Sequence, residues 1–248
     1  MWSDQEIGFW KEYLQAHHGL DGELERLDGE FDLNIAVRVD GRLDAVLKVM
    51  RVGCDSGLVG MQGEALDHLA ATMPDLPVPR VIRRHDGAAA AAVTDLSGDE
   101  RIAWVISAID GLPLGAMRPH PAALVHEIGH TLGRMTAGLE GFDHAALTRD
   151  FKWHPLQPHW AFTKVFEILD EDIKSLINEY FQYFENNIES ELLNLEYQTI
   201  HCDGNDYNLL VSPSLDGPSL AGVIDFGDMV RAPAGCDLAT AAAYMVLD

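Results

Sequence analysis

The 248 residues predict an α+β protein in which a small N-terminal antiparallel sheet lobe precedes a larger, mainly helical C-terminal lobe. Three observations carry that expectation. Asp40-Gly41 lies between two strand-prone runs, the signature of a tight hairpin. Beyond Pro113 the apolar residues recur at helical spacing. In residues 200–228 two short apolar runs, 209–211 and 220–224, flank a Ser/Pro/Gly/Asp linker, the pattern of two strands joined by a turn.

Taken in order, Ser3 followed three positions later by Glu6 makes a capping box, and Ile7, Trp10 and Leu14 continue at helical spacing to Gly19. Residues 24–39 hold two strand-like segments interrupted at 27–34, and Asp40-Gly41 turns the chain into a further strand over 43–51. Lys48 sits inside that strand, in the apolar setting Val46-Leu47-Lys48-Val49, where a lysine is costly unless an anion pairs with it. A helical segment over 60–71 closes at the three prolines of 73–79. Segments 81–84 and 88–95 follow as strands around Asp86-Gly87, and the apolar run 102–109 is expected to be the last strand of the first lobe, entering a hinge.

Pro119 and Pro121 start a helix with Leu124, Ile128, Leu132, Met135 and Leu139 on one face. His126 and His130 are four apart on it, a spacing that metal ligands use, but a polar helix face is expected there. From 170 to 196, Ile173, Ile177, Tyr180, Phe181, Phe184 and Ile188 form an apolar stripe opposite an acidic face, a surface helix of the larger lobe. Asp237 opens a last apolar helix over 238–247. The expected division is 1–103, a hinge at 104–112, and 113–248.

Composition narrows the classes. A hydrophobic content of 47% can fill a sizeable core, and neither a membrane-length apolar run nor a basic, apolar leader is seen, so a cytoplasmic protein is expected. Three widely spaced cysteines suggest neither a disulfide framework nor a zinc site. The net charge of −23 disfavours nucleic acid and anionic membrane as partners. It would draw in a cationic small molecule, or serve solubility alone.

The chemistry concentrates in residues 201–208, HCDGNDYN, and 225–228, DFGD. An H-x-D-x-x-x-x-N loop, a strand pair and then D-F-G is the order of kinase catalytic and metal-binding loops. In that order Asp203 accepts the proton of a substrate hydroxyl, while Asn208 and Asp225 hold magnesium on hard oxygen ligands. Metal-dependent phosphoester hydrolysis by His201, Asp203 and Asp225 is a weaker alternative, because the histidines lack two-metal spacing.

HCDGNDYNLLV and GVIDFGDMVRAPAGCDLATAAAYMVL resemble the aminoglycoside phosphotransferase and choline kinase superfamily. Within it the likeness is greatest to hydroxylysine kinase and to phosphotransferase domains fused to class III aminotransferases. The resemblance runs through most of the chain, strongest after Gln198. It implies a two-lobed, protein-kinase-like fold and transfer of the terminal phosphate of ATP or GTP, with Mg2+, to a small cationic hydroxylated substrate: 5-hydroxylysine-like, homoserine, choline or aminoglycoside-like. It further implies that Lys48, paired with Glu64, holds the phosphates. The turn with Gly29 and Asn34 would lie over them, backbone near Ser107 and Ile109 would face the base, and Asp237 would brace the catalytic loop. Phe151-Lys152-Trp153-His154 is similar to an F-x-W-D segment of the family, with histidine where aspartate is common. Family members continue with further helices, so a truncated domain, possibly fused to another enzyme, is expected. A catalytically inactive nucleotide-binding or regulatory module is the alternative.

Overall fold

The capping box forms as its spacing requires: the Ser3 hydroxyl accepts the Glu6 N–H at 3.2 Å, and the Glu6 carboxylate accepts the Ser3 N–H at 3.0 Å. It opens α1 (Asp4–His18), which Gly19 ends in the left-handed region at φ 67°. The computed structural model describes residues 2–214 and 217–246, apart from the side chains at 161 and 165. Positions 215–216 of the expected linker and 247–248 at the end of the chain lie outside the described residues.

The first lobe continues with β1 (Glu23–Leu27), β2 (Leu33–Val39), β3 (Arg42–Val49), α2 (Ser56–Thr72), β4 (Val81–Ile82), β5 (Ala90–Thr94) and β6 (Glu100–Ser107). The sheet order is β1-β2-β3-β6-β4, every pairing antiparallel, with β5 also on β6. The two strands expected around Asp86-Gly87 both form, but end to end on the outer edge of β6: Val81 stands opposite Ile106 and Ala90 opposite Trp104. β6 stays in the sheet to Ser107, through the first four residues of the expected hinge segment.

Alternation along the strands gives the sheet two different faces. Trp10, Tyr13 and Leu14 of α1 cover one, packing on Ile35, Val37, Leu47, Val49, Ala103 and Val105. On the other, Asn34, Lys48 and Trp104 stand in a cross-strand row over three neighbouring strands. Trp104 there joins a core that runs through α2 (Val59, Leu66, Leu69) into the second lobe.

That lobe holds β7 (Leu112–Pro113), α3 (Ala122–Gly138), a 3-10 turn at Ala145–Thr148, α4 (His159–Phe166), α5 (Glu171–Asn187), α6 (Glu189–Leu193), β8 (Tyr197–Ile200), β9 (Leu209–Ser212), β10 (Ser219–Val223), β11 (Val230–Pro233) and α7 (Gly235–Met245). The stripe Leu124, Ile128, Leu132 and Met135 of α3 is buried, and the helix packs on β10 and α7. On α5 the expected stripe is only partly covered, and Ile173 and Tyr180 are exposed. Among the described residues no helix is long and apolar enough to cross a membrane.

The β9–β10 hairpin meets the first lobe at a close backbone approach. Val223 N–H donates to the Pro77 carbonyl at 2.9 Å, and a Cβ on Gly222 would lie 2.5 Å from that same oxygen and 2.6 Å from Ile109 Cδ1. A carbonyl cannot rotate away as a side chain can. Gly222→Ala is therefore expected to cost about 1–3 kcal/mol by overpacking. In a thermal melt that is a fall of roughly 3–10 °C for a domain of this size.

Candidate active site

The loop after β8 is fixed from below. Asp237, near the start of α7, accepts the backbone N–H of His201 at 3.2 Å and of Cys202 at 2.7 Å, together with the Thr136 hydroxyl of α3 at 3.0 Å. These bonds hold Cys202 at φ 69°, a region that L-residues seldom adopt. His201 then joins the two halves of the site. Its Nδ1 accepts the Asp203 N–H at 3.3 Å, its Nε2–H donates to the Ile224 carbonyl at 3.2 Å, and its ring meets Phe226 edge-on.

Within the loop the Asn205 carbonyl oxygen of the side chain accepts the N–H groups of Tyr207 and Asn208, at 2.8 and 3.0 Å, an Asx turn that delivers Asn208 to the start of β9. Asn208 Nδ2 donates to Asp203 Oδ2 at 2.7 Å, and Asn205 Nδ2 donates to Asp203 Oδ1 at 2.7 Å. Ile224 N–H donates to the Asn208 carbonyl at 2.9 Å, so the two short strands place Asp225 beside this loop. Asp225 has φ 63°; its Oδ1 accepts the Gly227 N–H at 3.2 Å and faces Lys48 Nζ at 3.8 Å. The Lys48 side chain is only 13% exposed, whereas that of Asp225 is 51% exposed, opening into the cleft between the lobes.

The acids in this cleft differ in proton affinity. Burial raises the Asp203 carboxyl and the nearby Asp225 charge adds to it, while His201 and the Asn205 and Asn208 amides oppose the rise. The Lys48 ammonium holds Asp225 low. Asp228, the last residue of the DFGD stretch, is pushed up to about 6 by burial and by the charges of Asp203 and Asp225. Burial pushes the Cys202 thiol up to about 12, too high to supply a thiolate nucleophile.

Asp203, Asn208, Asp225 and Lys48 therefore converge on one cleft. Glu64 does not reach it. The core-facing stripe of α2 carries Val59, Gln62, Leu66 and Leu69, and Glu64 falls off that stripe onto a hollow bounded by Gly60, Gly63 and the Ala89–Ala92 run. Gln62 is the buried polar side chain of that helix, its Nε2 donating to the Leu58 carbonyl at 3.3 Å. Among the described residues the ion pair of Lys48 is to Asp225, so the expected Lys48–Glu64 pair is replaced.

Ser107 closes the sheet edge: its N–H donates to the Arg80 carbonyl and its hydroxyl accepts the Arg80 N–H, both at 2.8 Å. Ile109 lies beyond the strand against Gly222, at the lobe junction. Asn34 stands directly opposite Lys48, and Gly29 lies so close that a Cβ there would come within 2.7 Å of the Asn34 amide. His201 is fully buried with both ring nitrogens engaged, which removes it as the metal ligand of a hydrolytic site. Among the described residues no group of three His, Cys, Asp or Glu side chains is arranged to hold a metal ion, the His126/His130 pair included.

A family model described as the phosphotransferase enzyme family matches residues 23–248. Solved structures share the fold over nearly the whole chain. A GDP complex of an aminoglycoside 2'-phosphotransferase-IIIa mutant is 17% identical at a TM-score of 0.67, covering 97% of this chain and 78% of that one. An amicoumacin kinase in complex with AMP-PNP, Ca2+ and Ami is 13% identical at 0.66, covering 98% and 70%. A microcompartment-associated aminopropanol kinase is 21% identical at 0.65, covering 95% and 74%. No curated protein sequence matches the chain.

The raised Asp228 carboxyl has a stability consequence. A group that binds its proton more tightly in the folded state makes the fold lose stability as pH rises from the unfolded value of about 4, and the loss is complete above the folded value of about 6. Asp228→Asn removes that loss. Urea denaturation of the metal-free protein should show the variant more stable by about 2 kcal/mol near pH 7.5, the gap shrinking toward about pH 5.

Proposed function

The chain belongs to the phosphotransferase enzyme family, and on that premise we propose that it transfers the terminal phosphate of ATP or GTP to the hydroxyl of a small amino alcohol or hydroxyamino acid, with Mg2+. The observation that supports this reading is the convergence of Asp203, Asn208 and Asp225 on one cleft opposite Lys48. Phosphoryl transfer asks for positioning and charge neutralisation rather than covalent chemistry, and these four side chains are of the kinds that supply both.

Asp203 is the group that orients the acceptor hydroxyl and takes its proton. Each of its oxygens accepts one amide N–H, and each keeps a lone pair for a further donor. The two amides fix the carboxylate plane, so the acceptor oxygen meets an aligned base.

The donor set suits a hard divalent cation. Asn208 spends its Nδ2 on Asp203, which leaves Oδ1 as a free neutral oxygen, and Asp225 offers a half-exposed carboxylate beside it. Two protein oxygens, with phosphate oxygens and water for the rest, is how Mg2+ is commonly held at nucleotide sites. Bound there, the cation would neutralise charge on the phosphates. Lys48 adds a second positive charge from the floor of the sheet, and Asn34 next to it offers an amide to the same phosphates. Gly29 lets the β1–β2 turn close on them without a side chain in the way.

The acceptor is cationic on this reading, because the cleft gathers the carboxylates Asp203, Asp225 and Asp228 in a chain of net charge −23. The aminopropanol kinase acts on an amine by its name, in keeping with this choice. A screen of 5-hydroxylysine, amino alcohols, homoserine, choline and aminoglycosides for ADP or GDP production tests donor and acceptor together.

Asp203→Asn is expected to lower kcat by about 10²–10⁴-fold, the usual worth of a positioned base. Nucleotide affinity, measured by calorimetry, should stay within about threefold, since the base acts on the acceptor and not on the donor. Loss of nucleotide binding together with turnover would overturn the assignment.

A further inference from the structure

Arg149 lies between the 3-10 turn at Ala145–Thr148 and the F-x-W-H segment, outside every motif assigned above. Its guanidinium reaches the chain that follows Asp225. Nη2 donates to the Gly227 carbonyl at 2.9 Å, and Nη1 donates to the Met229 carbonyl at 2.8 Å and to its own turn at Ala146 O at 3.0 Å. The ring of Phe151 lies against the guanidinium at 4.5 Å and itself packs on the cluster of Ile200, Cys202, Val230 and Cys236 beneath the Asp203 loop. Five residues beyond Arg149, His154 takes the next carbonyl but one. Its Nδ1 accepts the Leu156 N–H at 3.2 Å, which turns Nε2–H toward the Arg231 carbonyl at 3.3 Å. One short segment thus holds the carbonyls of Gly227, Met229 and Arg231.

This clasp bears on Asp225 through Gly227. The Gly227 N–H donates to Asp225 Oδ1, the same oxygen that faces Lys48, so the carboxylate direction follows the position of the Gly227 peptide. Asp225 also has a left-handed backbone, φ 63°, a conformation that persists only where its surroundings over-determine it. Arg is suited to the task and Lys is not. A planar fork can bond two carbonyls and lie flat on an aromatic ring at once, whereas an ammonium is a single point.

We propose that Arg149, assisted by His154, is the positioning residue of the metal-binding loop, holding Gly227 and Met229 so that the Asp225 carboxylate stays aimed into the cleft beside Lys48. The proposal rests on Asp225 being a metal ligand for its functional consequence, but not for the clasp itself. Outer partners that orient a ligand typically change metal affinity by about 10–100-fold when removed.

Two measurements keep the clasp and the function apart. In the metal-free protein, hydrogen exchange of residues 225–231 should speed up in Arg149→Lys, while exchange in α1 and the first-lobe sheet is unchanged. In calorimetric titrations of the ADP complex with Mg2+, Arg149→Lys should weaken Mg2+ affinity about tenfold or more, with the acceptor KM within about twofold. His154→Gln keeps a side-chain N–H donor for Arg231 and should retain most of the affinity; His154→Asp removes the donor, sets a carboxylate against a carbonyl, and should lose more. Unchanged exchange in 225–231 together with unchanged Mg2+ affinity would overturn the proposal. So would a loss spread equally over metal, nucleotide and acceptor, which marks a merely structural role. If Arg149→Lys does not fold, the His154→Gln and His154→Asp pair decides: equal Mg2+ affinities would overturn the proposal. Normal turnover in Asp203→Asn would instead overturn the proposed function and leave the exchange result standing.

Discussion

Asp237 is almost wholly buried, and its carboxylate accepts hydrogen bonds from the His201 and Cys202 backbones and from the Thr136 hydroxyl. A carboxylate deprived of water is costly unless such donors replace the solvent, and each of these donors comes from a part of the chain that would otherwise be free to move. The Asp203 loop, α3 and α7 are thereby held about one group. Everything chemical in the cleft stands on that loop: His201 carries the order across to Ile224, and the Asn205 and Asn208 amides carry it to Asp203.

The cleft also separates neighbouring acids by environment alone. Asp225 is held low because Lys48 faces it, Asp203 is raised by burial, and Asp228 is pushed up to about 6 by burial and by its acidic neighbours. Three aspartates of one residue type therefore do not present three equal charges. One stays anionic opposite Lys48, and one binds its proton more tightly. The third stores unfavourable charge above about pH 6, a cost that a bound cation would relieve.

Local signals were legible where the cause is local. The Ser3–Glu6 box, the Asp40-Gly41 hairpin and the α3 stripe depend on residues within a few positions of one another, and all appear. The order of His201, Asp203, Asn208 and Asp225 could be read for the same reason, since one loop and one hairpin bring them together. Glu64 could not be read, because which face of α2 is buried depends on the sheet beneath it, and residues two apart, such as Gln62 and Glu64, fall on opposite faces of a helix. Arg149 carried only a weak signal, a lone arginine beside an aromatic motif in an acidic chain.

By itself the sequence determined the order of elements, the split into a sheet lobe and a helical lobe, and the loop and hairpin that bring Asp203, Asn208 and Asp225 together. Those follow from spacing, turn chemistry and donor type, which act over short stretches of chain. The tertiary structure alone decided which anion meets Lys48 and which cation bonds the loop after Asp225. These choices pair groups separated by as many as 177 residues, Lys48 with Asp225 among them, and only packing of the two lobes sets such distances.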